Sequence, residues 1–167
     1  MSHSNGKPKM KAVQLNTRIA DESDLKDIWE WRNDVKTRKM FLTASKVSFD
    51  EHQKWYSEIL SRKSSYLYIG IINAKDKIGV CRFDLGESCE EATISININP
   101  KYRGRGFCCL MLLSAIDSFQ KERHLNLRAN IKKENKASIK CFQKCGFNLI
   151  SENEHQLLFE RFFVVSP

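Results

Sequence analysis

Residues 92–107 read Ala92-Thr93-Ile94-Ser95-Ile96-Asn97-Ile98-Asn99-Pro100-Lys101-Tyr102-Arg103-Gly104-Arg105-Gly106-Phe107, and the fold is decided there. The stretch from Ala92 to Ile98 alternates strictly, with Ala92, Ile94, Ile96 and Ile98 on one side and Thr93, Ser95 and Asn97 on the other. That period belongs to a half-buried β-strand. From Phe107 to His124 the period changes, and Cys108, Met111, Leu112, Ala115 and Phe119 recur on one face of a predicted helix. Between the two, Gly104 and Gly106 let the backbone turn tightly and aim N–H groups outward, beside the positive end of the helix dipole. The segment is an anion site in outline, and Arg103 and Arg105 add charge. A helix terminus stabilises an anion by only about 0.3–1 kcal/mol, so converging N–H donors must supply most of the grip.

Three readings compete for such a loop. A Walker loop needs G-x-x-x-x-G-K-[ST], which is absent. A dinucleotide fingerprint needs a third glycine where Cys109 stands, within a parallel unit that carries a later acidic residue. An ordinary glycine-rich turn on a basic surface explains the loop taken alone.

Working outward, Val13 to Ile19 reads as a first strand. Asp21 then caps a helix with Asp24 at its third position and Leu25, Ile28, Trp29 and Arg32 at helical spacing. Ser48-Phe49-Asp50-Glu51 is a capping box that opens a second helix, striped by His52, Trp55, Tyr56 and Ile59. Tyr66 to Ile72 and Ile78 to Asp84 are strands before the decisive one, and Leu127 to Ile131 is the strand after its helix. A helix from Asn135 to Lys144 stops at Gly146, and strands Phe147 to Ser151 and Gln156 to Val164 close the sheet. The expected architecture is α/β in the α+β sense: a central mixed, mostly antiparallel sheet flanked by helices, with one strand–helix–strand crossover over residues 92–131.

The chain of 167 residues suits one domain, expected over 13–165 behind a disordered leader at 1–12. No apolar run reaches the roughly 18 residues of a membrane span, and no export signal opens the chain, so no membrane partner and a cytoplasmic location are expected. Cys81, Cys89, Cys108, Cys109, Cys141 and Cys145 lack zinc-site spacing and read as reduced thiols, with no metal cofactor. A net charge of +8 suits a protein that handles phosphates. Its Lys and Arg are scattered without an aromatic stacking platform, which argues against nucleic acid as a partner.

The passage I-N-P-K-Y-R-G-R-G-F, followed by N-K-A-S-I-K-C-F-Q-K-C-G-F, resembles the GNAT superfamily of N-acetyltransferases over roughly residues 13–163. The family's R/Q-x-x-G-x-G/A loop binds the pyrophosphate of coenzyme A; Arg103 and Gly106 match it, and Cys108 replaces the last small residue. Its later N-x-x-A-x-x-x-Y-x-x-x-G-F pattern is met by Asn135, Gly146 and Phe147, with Ser138 in place of alanine. The resemblance implies acetyl-CoA as co-substrate, held by Ile96, Ile98, Arg103, Gly104, Arg105, Gly106, Phe107, Cys108, Asn135 and Phe142. It also implies a splayed strand at 92–98 whose backbone serves the pantetheine arm and thioester oxygen. Transfer in this family is direct, so the resemblance implies no nucleophilic role for the cysteines. The family's acid, a tyrosine, falls on Phe142, which cannot donate a proton.

The acceptor amine must lose a proton before it attacks, and Glu91, as base, or Asn97, through a held water, is the candidate. Trp31-Arg32-Asn33-Asp34 with His52-x-x-Trp55 looks like the branch that acetylates amino sugars on nucleotide carriers. That likeness implies that Arg32 and His52 meet the acceptor's phosphates while Met40 and Phe41 wall a sugar pocket, with a UDP-amino-sugar as the small-molecule partner. A protein N-terminus or polyamine is the alternative acceptor, and a non-catalytic acyl-CoA-binding module is the alternative of another class.

Overall fold

The computed structural model describes residues 14–41 and 43–164. The expected leader, Val13 as the start of the first strand and the domain's last residue lie outside them. Seven strands form one sheet: β1 (Leu15–Ile19), β2 (Ser65–Ile72), β3 (Asp76–Leu85), β4 (Glu91–Ile98), β5 (Asn126–Lys132), β6 (Asn148–Glu152) and β7 (Gln156–Arg161). Their spatial order is β1-β2-β3-β4-β5-β7-β6, and β4–β5 is the parallel pair among antiparallel neighbours. Five helices cover the sheet: α1 (Leu25–Asn33), α2 (Val35–Met40), α3 (Phe49–Ser61), α4 (Phe107–Gln120) and α5 (Lys136–Lys144).

One apolar cluster fills the space between the sheet and α4 and α5. Phe83 stacks on Phe119 at 4.2 Å between centroids, with Met111, Leu112 and Leu127 fully buried around them. A second cluster lies against the other face, where Ile28 and Trp31 of α1 and Tyr56 and Ile59 of α3 meet Leu67, Ile69 and Val80. The helical stripes are what place these residues inward.

Both capping boxes form. Asp21 accepts from Ser23 N, Asp24 accepts from Asp21 N, and Ser48 and Glu51 exchange bonds. The first is a 3-10 turn (Glu22–Asp24) leading into α1, where a single α-helix from Asp21 is expected. Asp24 is fully buried between Arg18 of β1 and Lys77 of β3, each at 2.7 Å. α2 is unanticipated. Asp34 caps it by accepting from Thr37 N, but Val35-Lys36-Thr37-Arg38-Lys39-Met40 carries no apolar stripe to announce it. α4 ends at Gln120, short of His124, and β7 ends at Arg161, short of Val164.

The feature that makes a site is the quarrel between β4 and β5. They pair only where Glu91, Ala92 and Thr93 face Asn126, Leu127 and Arg128. Beyond Thr93 they separate, while β4 stays paired with β3 to Ile98. The backbone groups on the β5-facing edge of β4 are therefore left without a strand partner. Burial follows: Ala92 and Ile94 are buried, whereas Ile96 and Ile98 are only half-buried.

Candidate active site

The separation opens a cavity of about 740 Å³. Its walls are β4 from Thr93 to Ile98, β5 from Ala129 to Lys132, the starts of α4 and α5, and α2 with Phe41. A volume of this size holds a cofactor-sized ligand.

At one rim the backbone is prepared for an anion. Asn99 anchors the loop, donating from Nδ2 to Lys77 O at 2.9 Å and accepting from Lys101 N at 3.1 Å. Gly104 and Gly106 follow with φ of +71° and +80°, in the left-handed region where a side chain is strained. No protein atom lies within 4 Å of where a Cβ would stand at either position. The glycines therefore answer to backbone conformation and to clear space outside the loop, not to internal packing. α4 begins immediately afterwards, and no side chain caps its first turn, so its N–H donors face outward. Phe107 and Cys108 line the cavity beside them. Arg105 does not; it is exposed, and its guanidinium lies 5.5 Å from the Tyr102 ring.

Arg103 lines the cavity, but its donors are turned inward. Nε donates to Ile98 O at 3.3 Å, Nη1 to Asp34 at 2.6 Å, and Nη2 to Thr37 Oγ1. Thr37 in turn donates to Asn97 Oδ1 at 3.3 Å. Burial works to raise the Asp34 pKa, yet the Arg103 and Thr37 donors outweigh it and hold the carboxyl below its ordinary value.

On the opposite wall, Asn135 caps α5 by accepting from Ser138 N at 3.2 Å, which leaves its amide group at the cavity edge. Phe142 is 2% exposed, edge-on to Phe147 at 4.9 Å, and lines the cavity with Ser138 one turn earlier on α5. Ile96, Asn97, Ile98, Met40 and Phe41 all line it. Cys109, Cys141 and Cys145 gather behind this wall. The Cys109 and Cys145 sulfurs are 2.8 Å apart, and burial pushes the Cys109 thiol up to about 11, which suits neutral packing groups and no nucleophile.

Besides Arg105, three expected site residues are elsewhere. Glu91 stands at the paired end of β4, where Arg128 holds it at 2.7 Å, with Glu160 on the other side of the same guanidinium at 3.1 Å. The strand pairing that defines that end closes it to the cavity, so Glu91 is not placed to act as base. His52 is 2% exposed; its Nε2 meets Leu25 O at 3.2 Å and its ring stacks on Tyr56 at 5.9 Å. Burial pushes the imidazole below its ordinary pKa, and the Leu25 carbonyl restores only part of this. It is a core residue joining α3 to α1. Arg32 is the third. Its guanidinium lies 4.3 Å from the centre of the Phe41 ring and donates from Nη2 to Thr43 O at 2.9 Å.

The rest of that motif does related work. Asn33 brackets Val47, donating to its O at 2.8 Å and accepting from its N at 2.9 Å, and Trp29 Nε1 donates to the same O at 2.9 Å. Trp29, Arg32 and Asn33 thus hold the backbone at Thr43 and Val47, Trp31 of the motif is buried in the core, and none of the four lines the cavity.

What sequence reasoning missed is a set of lysines. Lys36 and Lys39 of α2, Lys132 of β5 and Lys136 of α5 line the cavity. Glu134 is the one carboxylate among the described lining residues. Lys132 Nζ donates to Lys39 O at 3.1 Å, bringing β5 and α2 together. Two of them sit on the unforeseen α2, while Lys132 and Lys136 sit at the ends of elements the sequence announces. Among the described residues no helix is long and apolar enough to cross a membrane, and no cluster of three or more His, Cys, Asp or Glu is set to hold a metal.

Comparison with known proteins now has a site to bear on. The family model described as an acetyltransferase (GNAT) domain matches residues 14–148. The spermidine N-acetyltransferase of Vibrio cholerae, solved with CoA and spermine, superposes with a TM-score of 0.76 at 20% identity, covering 88% of this chain and 93% of that one. A domain from Methanocaldococcus jannaschii superposes at 0.78 and 20% identity, covering 90% and 99%. An aminoglycoside acetyltransferase solved with coenzyme A and kanamycin gives 0.75 at 16% identity, covering 89% and 95%. These likenesses are of fold. No curated protein sequence matches the chain.

Proposed function

Because the chain belongs to the GNAT family of acetyltransferases and so is an acetyl-CoA-dependent N-acetyltransferase, we propose that its cavity takes acetyl-CoA along β4 and an anionic amine acceptor from the side of α2. The residues present fit that co-substrate. Open N–H donors at Gly104–Cys108 and the uncapped start of α4 suit the pyrophosphate. The half-buried Ile96 and Ile98 and the unpaired edge of β4 suit the pantetheine arm, and Phe142 packs where the thioester end would lie.

When bound, acetyl-CoA supplies an activated acyl group and a thiolate that leaves readily. The chain must orient the amine, accept its proton and place a donor on the carbonyl oxygen. An unpaired β4 N–H beyond Thr93 is suited to the last task, and one well-placed donor of this kind contributes a few kcal/mol. Glu134, between β5 and α5, is the one carboxylate among the described lining residues, and Asn97 cannot take a proton. In this reading the proton passes to water. Lys36, Lys39 and Lys132 assist by disfavouring a further positive charge, which lowers the pKa of an acceptor ammonium nearby.

The same lysines carry the choice of acceptor. Against one carboxylate they favour an amine that bears a negative group, and a nucleotide-linked amino sugar is such a molecule. A polyamine would meet like charge. The test compares kcat/KM for UDP-amino-sugars, the corresponding free amino sugars and spermidine. The nucleotide-linked acceptors should lead the free sugars by at least tenfold, a difference that falls as salt rises. Equal or better turnover of spermidine would overturn this acceptor class.

A further inference from the structure

We propose that Asp34 is a positioning residue for acetyl transfer, fixing the coenzyme loop and the cavity-facing Asn97 to the acceptor-side helix through Arg103 and Thr37. The proposal rests on the coenzyme reading of the cavity. Its ground is where the Arg103 donors point. This residue opens the glycine loop, where a free guanidinium would turn to a phosphate. Instead each of its three nitrogens is bonded within the protein, to Ile98 O, Asp34 and Thr37.

The bonds tie α2 to the end of β4 and the loop that follows it, 60 or more residues further along the chain. Asp34 caps α2, accepting from Thr37 N at 3.0 Å while pairing with Arg103 at 2.6 Å. Ile98 is the last residue of β4, on the unpaired side of the cavity. Thr37 Oγ1 must accept from Arg103, because a guanidinium has no acceptor, and its own hydrogen is then available to Asn97 Oδ1 or Asp34. The orientation of Asn97, and with it the donors it offers the cavity, follows from the chain Asp34–Arg103–Thr37. α2 also carries Lys36, Lys39 and Met40 to the acceptor side. Any ligand that settles the glycine loop therefore settles the acceptor wall as well.

Asp34→Asn isolates the effect, since asparagine caps a helix as well as aspartate does yet carries no charge for Arg103. The probe is coenzyme A on the full chain, followed by calorimetry and by hydrogen exchange of the amides of residues 35–41. In the natural chain, CoA binding should slow exchange across 35–41 by at least fivefold. In Asp34→Asn that protection should shrink to less than twofold while CoA affinity falls threefold to tenfold. Thr37→Val should behave like Asp34→Asn, and Thr37→Ser, which keeps the hydroxyl, should restore both readings. The Thr37 pair also covers the case in which Asp34→Asn fails to fold. Undiminished protection in Asp34→Asn or Thr37→Val means that CoA touches α2 directly, and the positioning role is wrong. If the natural chain does not bind CoA, the coenzyme reading falls and takes this proposal with it.

Discussion

At the rim formed by Gly104 to Cys108 the chain leaves backbone donors open to the cavity, whereas beside α2 the side chains of Trp29, Asn33 and His52 are engaged by protein. There the buried Arg32 Nη1 has no hydrogen-bond partner among the described residues, and the lysines line the cavity. Arg32, Asn33 and Trp29 all end on the backbone of residues 43–47 or on Phe41, and His52 ends on Leu25. The open rim requires one backbone shape, and glycine spacing encodes it. The engaged side requires side chains that hold backbone distant in the sequence, and it offers the acceptor mainly lysines. One cavity thus has a rim recognised by backbone and a rim recognised by charge.

The largest effect should come from Gly106→Val. A β-branched residue at φ +80° is strained by about 1–3 kcal/mol, and its side chain occupies space that the structure keeps clear. With the loss of N–H bonds to a charged group, each about 1.5–3 kcal/mol, acetyl-CoA affinity should fall at least about 10³-fold. Thermal unfolding should change much less, because no protein atom is within reach of the new Cβ. Near-normal affinity by calorimetry would break the comparison at its stronger end.

His52→Ala should act in the opposite way, lowering stability by about 2–4 kcal/mol through a cavity and an orphaned carbonyl while leaving acetyl-CoA affinity unchanged. Its pH dependence has a definite sign. Burial depresses the folded pKa below the unfolded value, so the unfolded chain binds the proton more readily. The neutral imidazole's contribution is present above the unfolded pKa of about 6.5 and is lost as pH falls toward the folded value. The natural protein should lose stability from about pH 7 to pH 5 more steeply than His52→Gln. Parallel denaturation profiles would show that His52 titrates freely and is not the core residue described.

Arg32→Ala sharpens the weaker rim. It removes the contact with Phe41 and the bond to Thr43 O, together about 1–2 kcal/mol of local order. Acceptor KM should rise by about tenfold, to the same degree for a nucleotide-linked amino sugar and for the free sugar. A loss confined to the nucleotide-linked form would restore Arg32 to direct phosphate recognition.

The same contrast decides what was legible in the sequence. The alternation from Ala92 to Ile98, the glycine spacing and both capping boxes are local requirements, and the structure has them where the residues indicate. The opening of β4 from β5 beyond Thr93 is not written in either strand's own pattern, because each keeps its alternation whether or not it is paired. The partners of Arg32 and His52 are hidden in the sequence for a related reason. Residue type states a capacity for hydrogen bonding and is silent on the partner, and both partners are backbone carbonyls brought near by tertiary contact. α2 lacked an apolar stripe, so the lysines it carries went unseen.

Phe142→Tyr should produce the smallest effect, and its size measures how much chemistry the chain entrusts to side chains at all. The ring is 2% exposed and edge-on to Phe147, with one edge at the cavity. On the proposed coenzyme path, a tyrosine hydroxyl there would stand at the thiolate end. General acid assistance contributes about 10²–10⁴-fold where the leaving group is poor. A coenzyme A thiol is a stable leaving group that takes its proton from water, so kcat should rise tenfold at most, about 1.4 kcal/mol. The change in KM for acetyl-CoA should be small, since the ring's packing is kept. Phe142→Ala is the wrong variant for this question, because emptying so buried a site costs about 3–5 kcal/mol of stability and confounds the rate. Single-turnover rates measured across pH give the decisive reading. A rise well above tenfold that disappears at high pH, as the new phenol ionises, would show that the acid step limits this chain. A small rise independent of pH would show that positioning by β4 and the glycine loop, with no proton donor from α5, accounts for the rate.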